Sequence, residues 1–131
     1  MSPDYAPGSP QDWLNRAKGK LVLARQRLPE GAYWQDLTYM AQQAAELAIK
    51  AVYCRKGLQF AFVHDIRFLL DGLVKTGLEV PEQVREAERL TVFATQMRYP
   101  GTSEFITEKL HERMLAIAET VVAWADSLVN S

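Results

Sequence analysis

Apolar residues recur at helical spacing along almost the whole chain, and this periodicity is the feature that most constrains the fold. Five such segments are visible, and proline or glycine residues interrupt the pattern between them. Alanine and leucine are abundant, whereas β-branched residues are sparse before the last segment, a balance that favours helix over strand. The sequence therefore predicts an all-α protein, an antiparallel up-and-down bundle of four to five helices joined by short connections.

Local signals indicate the ends of the first two helices. Ser9 is a suitable N-cap for the first helix, and the break at residues 29–31 ends it. The second helix is predicted to begin near Tyr33 and to stop at Gly57. Its apolar residues cover more than one face, so we expect burial on two sides, and a charge placed at Leu47 is expected to unfold the protein.

Proline residues organise the second half of the chain. The third helix is predicted to begin near residues 64–65. Pro81 opens the fourth, which is predicted to continue as one helix and to stop before Pro100. Thr102 or Ser103 is predicted to cap the last helix, which has a long continuous apolar stripe.

Length and composition exclude several classes of protein. The 131 residues permit one domain, predicted over residues 10–129, with residues 1–9 as a flexible leader. A formal net charge of −1 argues against a protein whose whole surface binds nucleic acid. No apolar stretch is long enough to span a membrane and no secretory signal is visible, so the expected location is the cytoplasm.

Common catalytic and metal-binding motifs are missing from the sequence. It contains no Gly-rich phosphate loop, no G-x-S-x-G and no H-E-x-x-H, and only one E-x-x-H, at Glu108 and His111. The single cysteine, Cys54, excludes an internal disulfide and a zinc site with several Cys ligands. Neighbouring cations could activate its thiol, but a packing role is favoured. We therefore predict neither a metal nor a cofactor.

Two short motifs could bind a ligand. His64 stands at the start of the third helix, where it either caps the helix and contacts a neighbour or carries a proton or a phosphate contact. Pro100 and the following glycine make a rigid corner that presents Arg98 and Tyr99 as a platform for an anion or a base. The alternative for Arg98 is that it satisfies the last carbonyls of its own helix.

Three segments in order resemble the HEPN domain family over roughly residues 10–128. They are the alanine-rich stretch 41–52, the sequence His-Asp-Ile at 64–66 followed by Leu-Leu at 69–70, and Arg-Tyr-Pro at 98–100. The resemblance implies a four- or five-helix antiparallel bundle that usually dimerises. In bacteria and archaea, such small proteins often accompany a minimal nucleotidyltransferase in a toxin–antitoxin-like pair.

The chain departs from the ribonuclease pattern of that family. Many HEPN domains are metal-independent ribonucleases that use an Arg, four to six residues and then a His. The positions required before the two histidines, 57–59 and 104–106, contain no Arg. The chain looks closer to the branch that ends its fourth helix in Arg-Tyr-Pro-Asp, for which nucleotide binding has been proposed, although Gly101 replaces the Asp.

Three functions remain open from the sequence. The first is a non-catalytic module that binds a nucleotide, RNA or another phosphate-bearing ligand through His64, Arg67, Arg98 and Tyr99, and that pairs with a nucleotidyltransferase. In this hypothesis His64 and Arg98 face each other across one cleft. The second is a ribonuclease that uses His64 with Arg98 or Arg55. The third is a purely structural interaction protein, and a homodimer is expected because the apolar surface exceeds what one small bundle buries.

Overall fold

The computed structural model describes residues 5–98, 100–101 and 106–131 of the chain, without the side chain of Arg98. Regular structure in these ranges is entirely helical, which confirms the predicted all-α fold. The helices are α1 (Pro10–Arg25), α2 (Trp34–Arg55), α3 (Ile66–Lys75), α4 (Glu82–Arg85) and α5 (Glu108–Val129). Two 3₁₀ segments, Glu86–Phe93 and Gln96–Arg98, follow α4.

Helix α1 begins and packs as its sequence predicts. The Ser9 hydroxyl accepts a hydrogen bond from the backbone N–H of Asp12 at 3.2 Å, and Pro10 occupies the first helical position. The buried residues of α1 recur every three or four positions and are Leu14, Ala17, Leu21 and Ala24. This spacing produces one apolar face, which packs against α2 and α5.

Helix α2 lies at the centre of the bundle, in contact with α1, α3, α5 and both 3₁₀ segments. Its alanines let these neighbours approach closely, and the fully buried ones are Ala41, Ala44, Ala45, Ala48 and Ala51. The expected burial on more than one side is therefore present. Leu47 is only half-buried and lines a groove between α1 and α2, so the fully buried centre of the helix lies at Ala48 instead.

The predicted single fourth helix is wrong in its form. Only one α-helical turn forms after Pro81, and the chain then continues as an eight-residue 3₁₀ helix. The buried residues in this part are spaced by three and are Val84, Ala87, Leu90 and Phe93. A 3₁₀ helix has three residues per turn, so it aligns these side chains in one straight stripe against the core.

Helix α5 begins later than expected. Its N-cap is Thr107, whose hydroxyl accepts from the backbone N–H of Leu110 at 3.2 Å, so the predicted cap at Thr102 or Ser103 is wrong. Those two residues lie outside the described ranges. Within the helix, His111 is buried and is hydrogen-bonded at both ring nitrogens, to Thr38 on α2 and to the backbone of Ala24 on α1.

Candidate binding site

A buried carboxylate on α2 organises the polar groups between α2 and the start of α3. Glu46 Oε2 accepts a hydrogen bond from Lys50 Nζ at 2.8 Å. Its other oxygen, Oε1, accepts from Gln42 Nε2 at 2.8 Å and contacts His64 Nδ1 at 2.9 Å. We refer to Gln42, Glu46, Lys50 and His64 as the Glu46 cluster. The first three residues are spaced by four positions, so they project from one face of α2.

The Glu46 cluster places two formal charges in the protein interior. Glu46 and Lys50 are each only 7% exposed, and charged residues at such depth are stable when they are paired. Burial alone would raise the pKa of Glu46, but the hydrogen bonds from Lys50, His64 and Gln42 outweigh it and lower that pKa. Lys50 Nζ also lies 5.3 Å from the centre of the Phe60 ring, a cation–π contact. Glu46 is therefore ionised at neutral pH.

The ionised carboxylate determines the tautomer of His64. A carboxylate accepts hydrogen bonds but donates none, so the Nδ1 atom of His64 carries the proton in this contact. The side chain of His64 is 60% exposed, and no described residue forms a hydrogen bond with its Nε2 atom. The ring is thus oriented by the protein at one nitrogen and accessible to solvent at the other.

Two of the backbone N–H groups at the N-terminus of α3 are already bonded to protein side chains. The Asp65 carboxylate accepts from the backbone N–H of Phe68 at 3.3 Å, and the N–H of Ile66 donates to the Thr91 hydroxyl at 3.1 Å. An anion would therefore meet the Asp65 carboxylate at this helix end, where two of the N–H donors are already bonded. Side chains must provide most of any anion binding here.

Arg67 is the exposed cation nearest to His64 along α3. Its side chain is 72% exposed, and its Nε atom lies 4.0 Å from Glu88 Oε1, beyond hydrogen-bond distance. Glu88 instead forms a closer ion pair with Arg85, at 2.8 Å. The guanidinium of Arg67 therefore retains donors for a ligand.

The structure does not test the other two predicted site residues, Arg98 and Tyr99. Tyr99 and the side chain of Arg98 lie outside the described part of the structure. The backbone leading to them runs beside the beginning of α2, where Gln35 donates to the carbonyl oxygen of Met97. Gln35 precedes Glu46 by 11 positions on α2, which corresponds to about 16 Å along the helix axis. The meeting of His64 and Arg98 in one cleft stays a prediction.

The sequence indicated His64 and Arg67 as candidate site residues but did not reveal the side chains that hold His64. The available signal was the row of polar residues at positions 42, 46 and 50 in a helix expected to be buried on two sides. For Cys54, burial raises the pKa of the thiol and makes the thiolate scarcer, which argues against activation by the neighbouring cations.

The described residues contain neither a metal-binding cluster nor a membrane-spanning helix. No group of three or more His, Cys, Asp or Glu side chains there could hold a metal ion. Among the helices described, none combines the length and the apolar character needed to cross a bilayer.

The helices and the cluster between them define a small helical-bundle domain, and comparisons identify its family. The family model for the HEPN domain matches residues 10–128, and the chain belongs to this family. The crystal structure of an archaeal HEPN homologue superimposes with a TM-score of 0.75 at 24% sequence identity, covering 92% of this chain and 98% of the homologue. That likeness shows a shared fold. No curated protein matches the sequence.

Proposed function

We propose that this HEPN domain is a non-catalytic module that binds a nucleotide or another phosphate-bearing ligand at the start of α3. The observation that carries the proposal is the pair His64 and Arg67, two exposed side chains three positions apart on either side of the α3 N-cap, with the imidazole of His64 held in place by Glu46. A ring that is already oriented loses less conformational entropy when a ligand binds.

Each side chain has a chemical role in this proposal. The planar guanidinium of Arg67 matches two phosphate oxygens with paired N–H donors. His64 presents its solvent-accessible Nε2 atom to the ligand, while its Nδ1 atom is held by the Glu46 carboxylate. We include Arg98 and Tyr99 as further contacts, an anion contact and a stacking surface next to Pro100.

We further propose a minimal nucleotidyltransferase as the partner protein in a toxin–antitoxin-like pair, with the HEPN domain as a cytoplasmic homodimer. Family membership supports the partner, because small prokaryotic HEPN proteins often accompany such an enzyme. Exposed apolar side chains support an interaction surface, and the most exposed of those described are Phe62 before α3, Val22 on α1 and Tyr33 at the N-cap of α2.

Titration calorimetry with ATP and with a short single-stranded RNA tests the binding proposal. Arg67→Ala should weaken binding roughly tenfold, the loss of one charge-assisted contact. Arg16→Ala is the matched control, because Arg16 is 66% exposed and also has a carboxylate neighbour, at 3.3 Å. The proposal is refuted if neither ligand binds the wild type, or if both variants weaken binding equally.

A metal-independent ribonuclease is the second candidate, favoured by one specific observation. A histidine whose Nδ1 proton is held by a carboxylate can use Nε2 as a general base, and His64 has this arrangement. Cleavage of single-stranded RNA in the presence of a chelator, lost in His64→Asn, would support it. A protein that neither binds nor cleaves would instead be a structural interaction module.

A further inference from the structure

The two histidines of the chain differ in burial and in how many of their ring nitrogens are hydrogen-bonded. His111 is 3% exposed, and both of its ring nitrogens are hydrogen-bonded, Nδ1 with the Thr38 hydroxyl at 2.9 Å and Nε2 with the Ala24 carbonyl at 2.8 Å. His64 is bonded only through Nδ1 and is largely exposed. Of the two, only His64 presents a ring nitrogen that an external reagent can reach.

The Glu46 cluster makes that nitrogen nucleophilic. With the proton held on Nδ1, the neutral ring has its lone pair on Nε2. When Nε2 forms a new bond, the ring becomes positively charged, and the Glu46 carboxylate 2.9 Å from Nδ1 stabilises that charge. Lys50 donates to Oε2 of this carboxylate and Gln42 donates to Oε1, the oxygen that also contacts His64, each at 2.8 Å, so the group that orients the ring is itself fixed in position.

We propose that His64 is a phosphoryl-accepting nucleophile and that its Nε2 atom forms the covalent bond to phosphorus. A phosphoryl group is favoured over other electrophiles because Arg67, three positions after His64, has an exposed guanidinium of the kind that binds phosphate oxygens. The inference rests on the proposed function to the extent that both need Arg67 to recognise phosphate.

The transfer balances without an oxidant, a reductant or a metal. The Nε2 lone pair attacks phosphorus in a small donor with a good leaving group, a phosphoramidate or an acyl phosphate. The bond between phosphorus and the leaving group breaks, and its electron pair departs with that group as ammonia or as a carboxylate. The ring keeps its Nδ1 proton, and the positive charge of the phosphorylated ring faces Glu46.

The test compares His64 with itself and with His111 in the same chain. Purified protein is incubated with potassium phosphoramidate at neutral pH, natively and in denaturant, and the labelling rate of each histidine is measured by peptide mass spectrometry. Native His64 should be labelled roughly tenfold or more faster than denatured His64, because only the native state contains the orienting carboxylate. Native His111 should react more slowly than denatured His111, because both of its nitrogens are bonded.

Variants separate activation from simple exposure. Glu46→Gln should reduce the native rate at His64 to the denatured value, with circular dichroism confirming the fold. If that variant does not fold, the native-to-denatured comparison in the wild type decides alone. The inference is overturned if native His64 reacts no faster than denatured His64, or if Glu46→Gln folds and leaves the native rate unchanged.

The two proposals fail in different measurements. Reversible binding is read from calorimetry with ATP or RNA, whereas the nucleophile is read from a covalent mass increase at His64. Labelling without reversible binding contradicts the proposed function and supports the nucleophile. Binding of ATP without labelling contradicts the nucleophile and leaves the binding proposal supported.

Discussion

Replacing Lys50 with methionine tests how strongly the Glu46 cluster depends on burial. The chain offers a matched control, because two of its ion pairs have nearly the same length and different exposure. Lys50 and Glu46 are 2.8 Å apart with side chains that are each 9% exposed. Arg25 and Glu119 are 2.7 Å apart with side chains that are 49% and 41% exposed. We therefore compare two variants of this chain, Lys50→Met for the buried pair and Arg25→Met for the exposed pair.

The surroundings of the two pairs determine how much each variant should lower the free energy of unfolding. Lys50→Met leaves Glu46 buried and removes the hydrogen bond to Oε2, while Oε1 keeps Gln42 and His64. Breaking a buried pair by removing one partner costs about 3–5 kcal/mol, and the two remaining bonds favour the lower end, about 3 kcal/mol. An exposed pair is worth at most about 1 kcal/mol, so Arg25→Met should lower the free energy of unfolding by less than that.

Urea denaturation followed by circular dichroism at neutral pH measures both variants. The gap in the free energy of unfolding should be about 2 kcal/mol, with unchanged slopes against urea. The double variant Glu46→Leu, Lys50→Met should regain much of the loss, because apolar replacement removes the unpaired buried charge. Equal costs for the two single variants, or a double variant no more stable than Lys50→Met, would refute the reasoning.

Three further outcomes follow from the packing and the charges. Gly72→Ala should lower the free energy of unfolding in urea by about 1–2 kcal/mol, because a Cβ at Gly72 would collide with the Tyr53 hydroxyl. Adding Tyr53→Phe should reduce that penalty, and simple additivity of the two substitutions would contradict this. The pKa of Glu46 is lowered in the folded protein, so the unfolded chain takes up the proton first as the pH falls. The stabilisation that Glu46 contributes should therefore be present above about pH 4.5 and decrease as acid is added. Urea titrations across that range should show a weaker pH dependence for Glu46→Gln. Ala48→Asp should abolish the helical circular dichroism signal, whereas Leu47→Asp, at a half-buried groove position, should retain it with a lowered melting temperature. Loss of the helical signal in both variants would contradict this difference in burial.

The sequence by itself determined the helical class and most helix ends. Caps and breaks are local, because an N-cap hydroxyl bonds a backbone N–H only three residues away, as Ser9 does in α1. Gly57 follows α2 with a φ of 69°, a conformation that glycine adopts without strain. The family resemblance also came from the order of short motifs along the chain, and the family match over residues 10–128 confirms it.

Tertiary structure decided what local patterns could not. The stripe at positions 84, 87, 90 and 93 suits both an α-helix and a 3₁₀ helix over a few residues, and packing against the core selected the tighter form. His64 could be named from the sequence, but its partner Glu46 lies 18 positions earlier on another helix. Whether a histidine is free, capped or held by a carboxylate depends on which side chains packing brings within about 3 Å, and helical periodicity places residues on faces without fixing which faces meet.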